Sequence, residues 1–488
     1  MASTLGAFIE IDSSSAVAEP AAVAHKDRQK TGNLPNELTQ GGPAVPLEEL
    51  SGTRTPTTPQ DVESAPQTPS EAPAPPVNLV PSLTNPPQNR WRFISSCLMF
   101  FAHGMSDSAP GALIPYIEKA YNIQYAVVSM IFVANAVGFI MAAPLTHLLD
   151  TRLGRSKTVI LCMSLLIAGY VAILAHPPFG VVVVAYFVIG VGLATMLSLN
   201  NVFLANLDKG TEILGAAHGA YGIGGTIAPL IATAMASHGV RWSYFFSINI
   251  AVSLVNVFYG GWVFRDYEQD NPVQLMAALQ RTASHREDGL AARKKSPLKD
   301  AIKNTVTLLG ALFIFAYQGA EVSNSGWIVS YLINYRNGDP AQVGYVSSGF
   351  WAGITIGRLV LTHFARRIGE RVTVLALTIG TIVCQLLTWL LPNIIGQAVA
   401  VAIVGLLQGP VYSCAMVIFN RLLPRNIQTI SIGLCGAMGS SGGAIAPFVT
   451  GLAAQQVGTV VLHPICLGLY GTMVVSWLCL PRVPKRSE

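Results

Sequence analysis

Twelve stretches of roughly twenty predominantly apolar residues recur between Phe93 and Leu480, each long enough to cross the hydrocarbon core of a bilayer as a helix. That recurrence constrains the chain more than any other feature. In hydrocarbon every backbone N–H and C=O must be satisfied internally, which only helices and closed barrels achieve. The stretches are about twice the length of a barrel strand, so the expected fold class is all-α integral membrane. Composition agrees with a polytopic protein: of 488 residues 51% are hydrophobic and 11% charged, with 45 glycines and a mean hydropathy of +0.48. The net charge of +5 sits in short loops between spans, so it speaks for membrane orientation and against nucleic acid. All 7 cysteines fall in apolar segments and none forms a Cys-x-x-Cys pair, which indicates packing rather than a disulfide framework or a metal site.

The spans are expected at about 93–117, 125–147, 158–176, 179–204, 213–235, 244–264, 304–333, 343–363, 372–391, 396–419, 429–454 and 458–480. Residues 1–90, rich in Pro, Ser, Thr and Ala, bury too little apolar surface to offset the entropy of ordering and are expected to form a disordered tail. The tail has no basic stretch followed by an apolar core, so the first membrane helix is expected to serve as the insertion signal. The resulting division is a tail at 1–90, a six-helix half at 91–264, a basic linker at 265–302, a second six-helix half at 303–481 and a short end at 482–488. Basic residues cluster after even-numbered spans, with Arg152, Arg155 and Lys157 after the second and Arg366, Arg367 and Arg371 after the eighth. The positive-inside rule then places both termini and the linker in the cytosol.

The two halves repeat. Gly224-Gly-Thr-Ile-Ala-Pro229 returns as Gly442-Gly-Ala-Ile-Ala-Pro447. Thr146-His147 with Arg152-Leu-Gly154 returns as Thr362-His363 with Arg367-Ile-Gly369, and the acids Asp107 and Glu321 nearly correspond. A six-span repeat keeps its orientation, giving parallel halves with a site between them near the midplane.

Six plus six helices around a cytosolic linker resemble the major facilitator superfamily over about residues 93–480. Gly104-Met-Ser-Asp-Ser-Ala-Pro-Gly-Ala-Leu-Ile-Pro115, His218-Gly-Ala-Tyr-Gly-Ile-Gly-Gly225, Glu321 to Trp327, Gly353-Ile-Thr-Ile-Gly-Arg358 and Gly409-Pro-Val-Tyr412 are similar to fungal members of its fucose:proton symporter branch. The chain departs from the family at two places. His147 and Thr151 interrupt the loop signature after the second span, with Asp150 one residue early. Gly190-Val-Gly192 is followed by Leu193 to Met196, where the branch commonly carries an acid.

An ionisable side chain at membrane depth costs on the order of 2.5–3.5 kcal/mol by insertion scales, so it is rarely there without a partner, a cavity or a task. Asp107 and Glu321 are the candidates for proton coupling: a desolvated carboxyl exchanges a proton near neutrality, whereas an adjacent cation opposes this. Asp107 also fits a cap on a helix broken around Ala109-Pro110-Gly111, and His103 one turn earlier can share its proton or pack. Substrate contact is expected from polar and aromatic residues in apolar helices: Asn135, Asn200, Asn201, Tyr221, Gln318, Asn324, Ser325, Trp327, Tyr331, Trp351, Gln408 and Tyr412. Each also fits an inter-helix hydrogen bond or core filling. Gln318, Glu321 and Ser325, spaced by three and four, share one helix face. Asp150, Arg152, Arg155, Arg358 and Arg367 read as gating or structural charge, with Arg358 expected to pair with Glu370 or reach the interface, and Arg155 and Arg367 to act as latches that open as the halves rock.

No P-loop, nucleophile triad or metal cluster is present in the sequence, so no enzyme and no cofactor are expected, the coupling ion being a proton. The function implied by the resemblance is secondary transport of a small polar solute, a sugar or related metabolite, by alternating access in a plasma-membrane monomer. An exporter, an uncoupled facilitator and a non-transporting sensor are the alternatives.

Overall fold

A computed structural model describes residues 81–270, 297–424 and 427–481. Residues 1–80 of the expected tail, most of the linker and the end at 482–488 lie outside the described residues; the tail's last residues are described, and Asn89 and Arg90 open the first helix, with Asn89 fully buried. The membrane helices are α1 (Asn89–Tyr121), α2 (Met130–Leu153), α3 (Arg155–Leu174), α4 (Phe179–Ala205), α5 (Gly210–Ser237) and α6 (Phe246–Val263). The second half holds α7 (Thr305–Asn334), α8 (Tyr345–Ile356, prolonged through a π turn at Gly357–Leu361 into Thr362–Ile368), α9 (Glu370–Leu390), α10 (Ile394–Gln408, continued by Val411–Leu422), α11 (Gln428–Val457) and α12 (Leu462–Leu478). Ten segments are long and apolar enough to cross a membrane on length and composition alone. The other two of the twelve, α1 and α8, are the ones interrupted by polarity around Asp107 and by the π turn.

Side chains as apolar as Phe258 (73% exposed) and Ile395 (74% exposed) stand on the outer surface, as a lipid-facing protein requires. With lipid outside there is little hydrophobic gain in helix association, so close backbone approach at small residues takes its place. A Cβ added at Gly224 of α5 would run into the Phe101 carbonyl of α1, and one at Gly442 of α11 into the Phe315 carbonyl of α7. A second pair repeats likewise: Gly138 meets the Phe187 carbonyl where α2 packs on α4, and Gly353 meets the Ala402 carbonyl where α8 packs on α10. The sequence repeat is therefore a repeat of helix contacts.

The halves meet most closely at the end where α1 finishes and α2 begins. There Tyr125 packs edge-on against Trp327 at 5.8 Å between ring centroids, Gly451 lies against Trp327 and Ser129, and Gln455 donates to Gln124. Gly344 packs on Thr233 and Gly326 on Phe132. Toward the other end Gly215 and Gly219 of α5 face nothing within 4 Å. The molecule is in a conformation shut at the end opposite the described chain termini.

At the terminal end the residues after α6 strap the first half. Arg92 bonds Asp270 at 2.6 Å and the Val263 carbonyl at 3.0 Å, and the Arg155 amide donates to Glu268 at 2.6 Å. The Tyr267 ring lies between two guanidinium groups, 5.3 Å from Arg92 and 4.9 Å from Arg155. Arg155 also holds Asp150 at 3.0 Å and the Leu199 carbonyl at 2.8 Å. Arg155 thus ties α2, α3 and α4 to one another and to the residues that follow α6. Arg152 and Arg367 are exposed.

Candidate functional site

Asp107 and Glu321 sit about halfway along the long helices α1 and α7. α1 is a continuous helix through Pro110 and Pro115, so Asp107 caps no helix break. Its carboxylate accepts a hydrogen bond from Tyr221 of α5 at 3.1 Å and lies 3.5 Å from His103 Nε2, one turn earlier. Glu321 is 2% exposed and lies 3.9 Å from Arg358 Nη2, with the Tyr317 hydroxyl beside both groups. Glu370, the expected partner of Arg358, is held instead by Arg421 at 3.2 Å. The reason is geometric: the π turn begins at Gly357, and Arg358 at this point turns inward to α7, while Glu370 opens α9 at the surface.

Between the halves lies a cavity of about 30 Å³. It is lined by Ser106, Asp107 and Pro110 of α1, Ile131, Phe132 and Asn135 of α2, Tyr186 of α4, Val322 and Ser325 of α7, and Trp351 of α8. Four of the expected residues, Asp107, Asn135, Ser325 and Trp351, are thus brought together. Tyr221 stands behind them, its hydroxyl on Asp107 and its ring 6.1 Å from Trp351. Ser106 and Tyr186 were not singled out from sequence. The signal for Tyr186 is a lone hydroxyl in the very apolar start of α4, and that for Ser106 is its adjacency to Asp107.

Others of the expected residues are inter-helix fastenings. Asn200 accepts from Ser96 at 3.1 Å and contacts Met99, while Asn201 is fully buried near the terminal end of α4. Asn324 donates to the Tyr470 hydroxyl at 2.9 Å and Gln408 donates to the same oxygen at 2.7 Å. Trp327 donates to the Pro447 carbonyl at 2.9 Å. Tyr331 accepts from Arg336 at 2.9 Å and meets the His463 ring, and Tyr412 packs with its ring tilted against Tyr317 at 5.8 Å between centroids. Gln318 is buried within α7, one turn before Glu321. A hydroxyl or amide on an apolar helix looks the same in sequence whether it faces a partner helix or a cavity, and here the partner helix usually wins.

The Major Facilitator Superfamily domain matches this chain over residues 96–447 and again over 317–488. The chain belongs to the Major Facilitator Superfamily. Among curated relatives, the bypass of stop codon protein 6 of Saccharomyces cerevisiae is 25% identical over 82% of this chain and 84% of its own length. The glucose/mannose transporter GlcP of Bacillus subtilis is 22% identical over 79% and 92%, and a glucose/galactose transporter of Brucella abortus is 21% identical over 75% and 88%. The superfamily and its transporter relatives point to a multi-pass membrane transporter for a small molecule and not to an enzyme.

Proposed function

We propose that this member of the superfamily carries a hexose or a closely related polar solute, coupled to a proton, with its termini in the cytosol and the plasma membrane as its location. The observation that carries the reading is the composition of the inter-half cavity. Asp107, Asn135, Tyr186 and Ser325 supply the carboxylate, amide and hydroxyl partners that a sugar needs, and Trp351 supplies an apolar face for its ring. The similarity to the glucose/mannose and glucose/galactose transporters supports the same class, and the motif resemblance to the fucose:proton symporter branch supports the coupling.

The 30 Å³ cavity has room for about one water, whereas ligand pockets run to roughly 300–1,000 Å³. Solute binding therefore needs the halves to part, and the contacts to loosen are those of Trp327 with Tyr125 and of Gly111 with Ser325. Asp107 is the coupling group in this account. Among the described residues its only ion-pair neighbour is His103, itself able to lose its charge, whereas Glu321 faces the permanently charged Arg358. Protonating Asp107 converts an acceptor for Tyr221 into a donor for a solute hydroxyl, which links the proton to solute binding.

The reading is tested by uptake of radiolabelled glucose, galactose and mannose into proteoliposomes with and without an imposed proton gradient. Accumulation of at least one hexose driven by the gradient, lost in Trp351→Ala, is the expected result. Uptake that only equilibrates, with the gradient without effect, would establish an uncoupled facilitator, which the missing acid after Gly192 would then explain.

A further inference from the structure

The buried polar positions of the two halves correspond through the repeat and are treated differently. In the C-terminal half they close on one another. His463 meets Gln385 at 2.9 Å, Gln385 donates to Asn324 at 3.2 Å, and Asn324 and Gln408 both donate to Tyr470. In the N-terminal half Asn249 and Asn256 of α6 stand 214 residues before His463 and Tyr470 (463 − 249 and 470 − 256), and Tyr170 stands 215 before Gln385 (385 − 170). There Tyr170 meets Asn249 as Gln385 meets His463, but the network stops at that pair: the amide oxygen of Asn256 and the hydroxyls of Ser253 and Ser95 have no hydrogen-bond partner, although all three residues are fully buried.

The placement of these atoms is ordered. Asn249, Ser253 and Asn256 follow at four and three residues and so share one face of α6. Ser95 of α1 adjoins the same seam one turn on, where Gly260 lets the helices approach. At the other end the Tyr170 hydroxyl lies beside Ser106 and Asn249 and close to Asp107. Buried polar groups in native proteins are satisfied by protein or by ordered water, and water fills sites that are polar. Groups one helical turn apart are separated by about 5.4 Å, the span of a single water making two hydrogen bonds of about 2.8 Å.

We propose that the seam between α1 and α6 holds a file of ordered waters from Ser95 to Asp107, a proton path distinct from the solute cavity. Its task rests on the proton-coupled reading above. Each water accepts a proton from one neighbour and passes one of its own to the next. The last transfer forms an O–H bond on the Asp107 carboxylate, and the net change is one proton moved along the file. Asn249 and Asn256 hold the waters without themselves carrying the proton. In the C-terminal half Tyr470 stands at the position of Asn256 and accepts from Asn324 and Gln408.

Radiolytic hydroxyl-radical labelling of the full chain in nanodiscs tests this without knowledge of the solute, because radicals form from bound water. Tyr170 and Tyr470 are a matched pair, 1% and 0% exposed. Tyr170 is expected to be oxidised about tenfold faster than Tyr470, with the rate falling toward that of Tyr470 in Asn249→Leu, as displacement of bound water by an apolar group requires. Equal rates in the wild type would overturn the proposal. So would persistence of fast labelling in Asn249→Leu, which would mean water reaches Tyr170 from the central cavity. The functional arm uses hexose in proteoliposomes: Asn256→Leu is expected to slow proton-driven uptake about tenfold while hexose exchange stays within about twofold. An unchanged proton-driven rate in Asn256→Leu would remove the path. If no hexose moves protons in the wild type, the coupled reading fails instead, and the Tyr170 labelling still decides whether the file exists.

Discussion

Two carboxylates occupy nearly the same position of a repeat, and the protein surrounds them oppositely. Asp107 has a tyrosine hydroxyl and a histidine, and it lines the cavity. Glu321 has an arginine and a tyrosine, with the network through Gln408, Tyr470 and Asn324 beginning at Tyr317. Neutralising Asp107 strands no permanent charge, whereas neutralising Glu321 leaves the part-buried Arg358 without its counter-charge. The backbone repeat, fixed by the glycine contacts at Gly224 and Gly442, thus carries one carboxylate without a permanent counter-charge and one paired with an arginine.

The comparison breaks most visibly at Arg358. Arg358→Leu leaves Glu321 alone in the interior and is expected to destabilise the protein by about 3–5 kcal/mol. Asp107→Asn is expected to cost less than about 1 kcal/mol, since only a hydrogen bond from Tyr221 is weakened. Thermal unfolding of the detergent-solubilised protein compares the two. Adding Glu321→Gln to Arg358→Leu is expected to recover much of the loss, and equal stability of the two single variants would erase the distinction between the halves.

The networks differ on a smaller scale. Tyr470→Phe leaves the Asn324 and Gln408 amides without their shared acceptor and is expected to cost about 1–3 kcal/mol. Tyr170→Phe, in a seam whose partners are replaceable, is expected to cost under about 1 kcal/mol, the same unfolding measurement deciding. Smaller again is Tyr221→Phe, which removes one donor from Asp107. A loss of about 0.5–1.5 kcal/mol in stability or solute binding is expected, read as a change in hexose affinity by competition in exchange.

Much of this architecture is written in the sequence because membrane helices are specified by length and apolarity, which survive without knowledge of partners. The ends of α4 and α9 fall within a residue or two of their expected positions, and the repeated glycine motifs land on repeated backbone contacts. The π turn at Gly357–Leu361 is not legible, since nothing in Gly-Arg-Leu-Val-Leu distinguishes it from ordinary helix. That turn is also why Arg358 meets Glu321 rather than Glu370. The site is legible at Asp107, Asn135, Ser325 and Trp351 and illegible at Asn200, Asn324 and Gln408, whose amides find partners on neighbouring helices. Sequence reports that a polar group is in the membrane; only packing reports whether it faces another helix or a cavity.

The most direct measurement of the central claim is hexose-driven proton movement in proteoliposomes of the wild type, Asp107→Asn and Glu321→Gln, read with an internal pH dye alongside hexose exchange. The account predicts that the wild type moves protons with hexose, and that Asp107→Asn abolishes the proton signal while retaining exchange within about threefold. Glu321→Gln, which strands Arg358, is predicted to lose exchange as well. A proton signal that survives Asp107→Asn would contradict the assignment of the coupling group, and hexose movement without protons in all three would contradict coupling altogether.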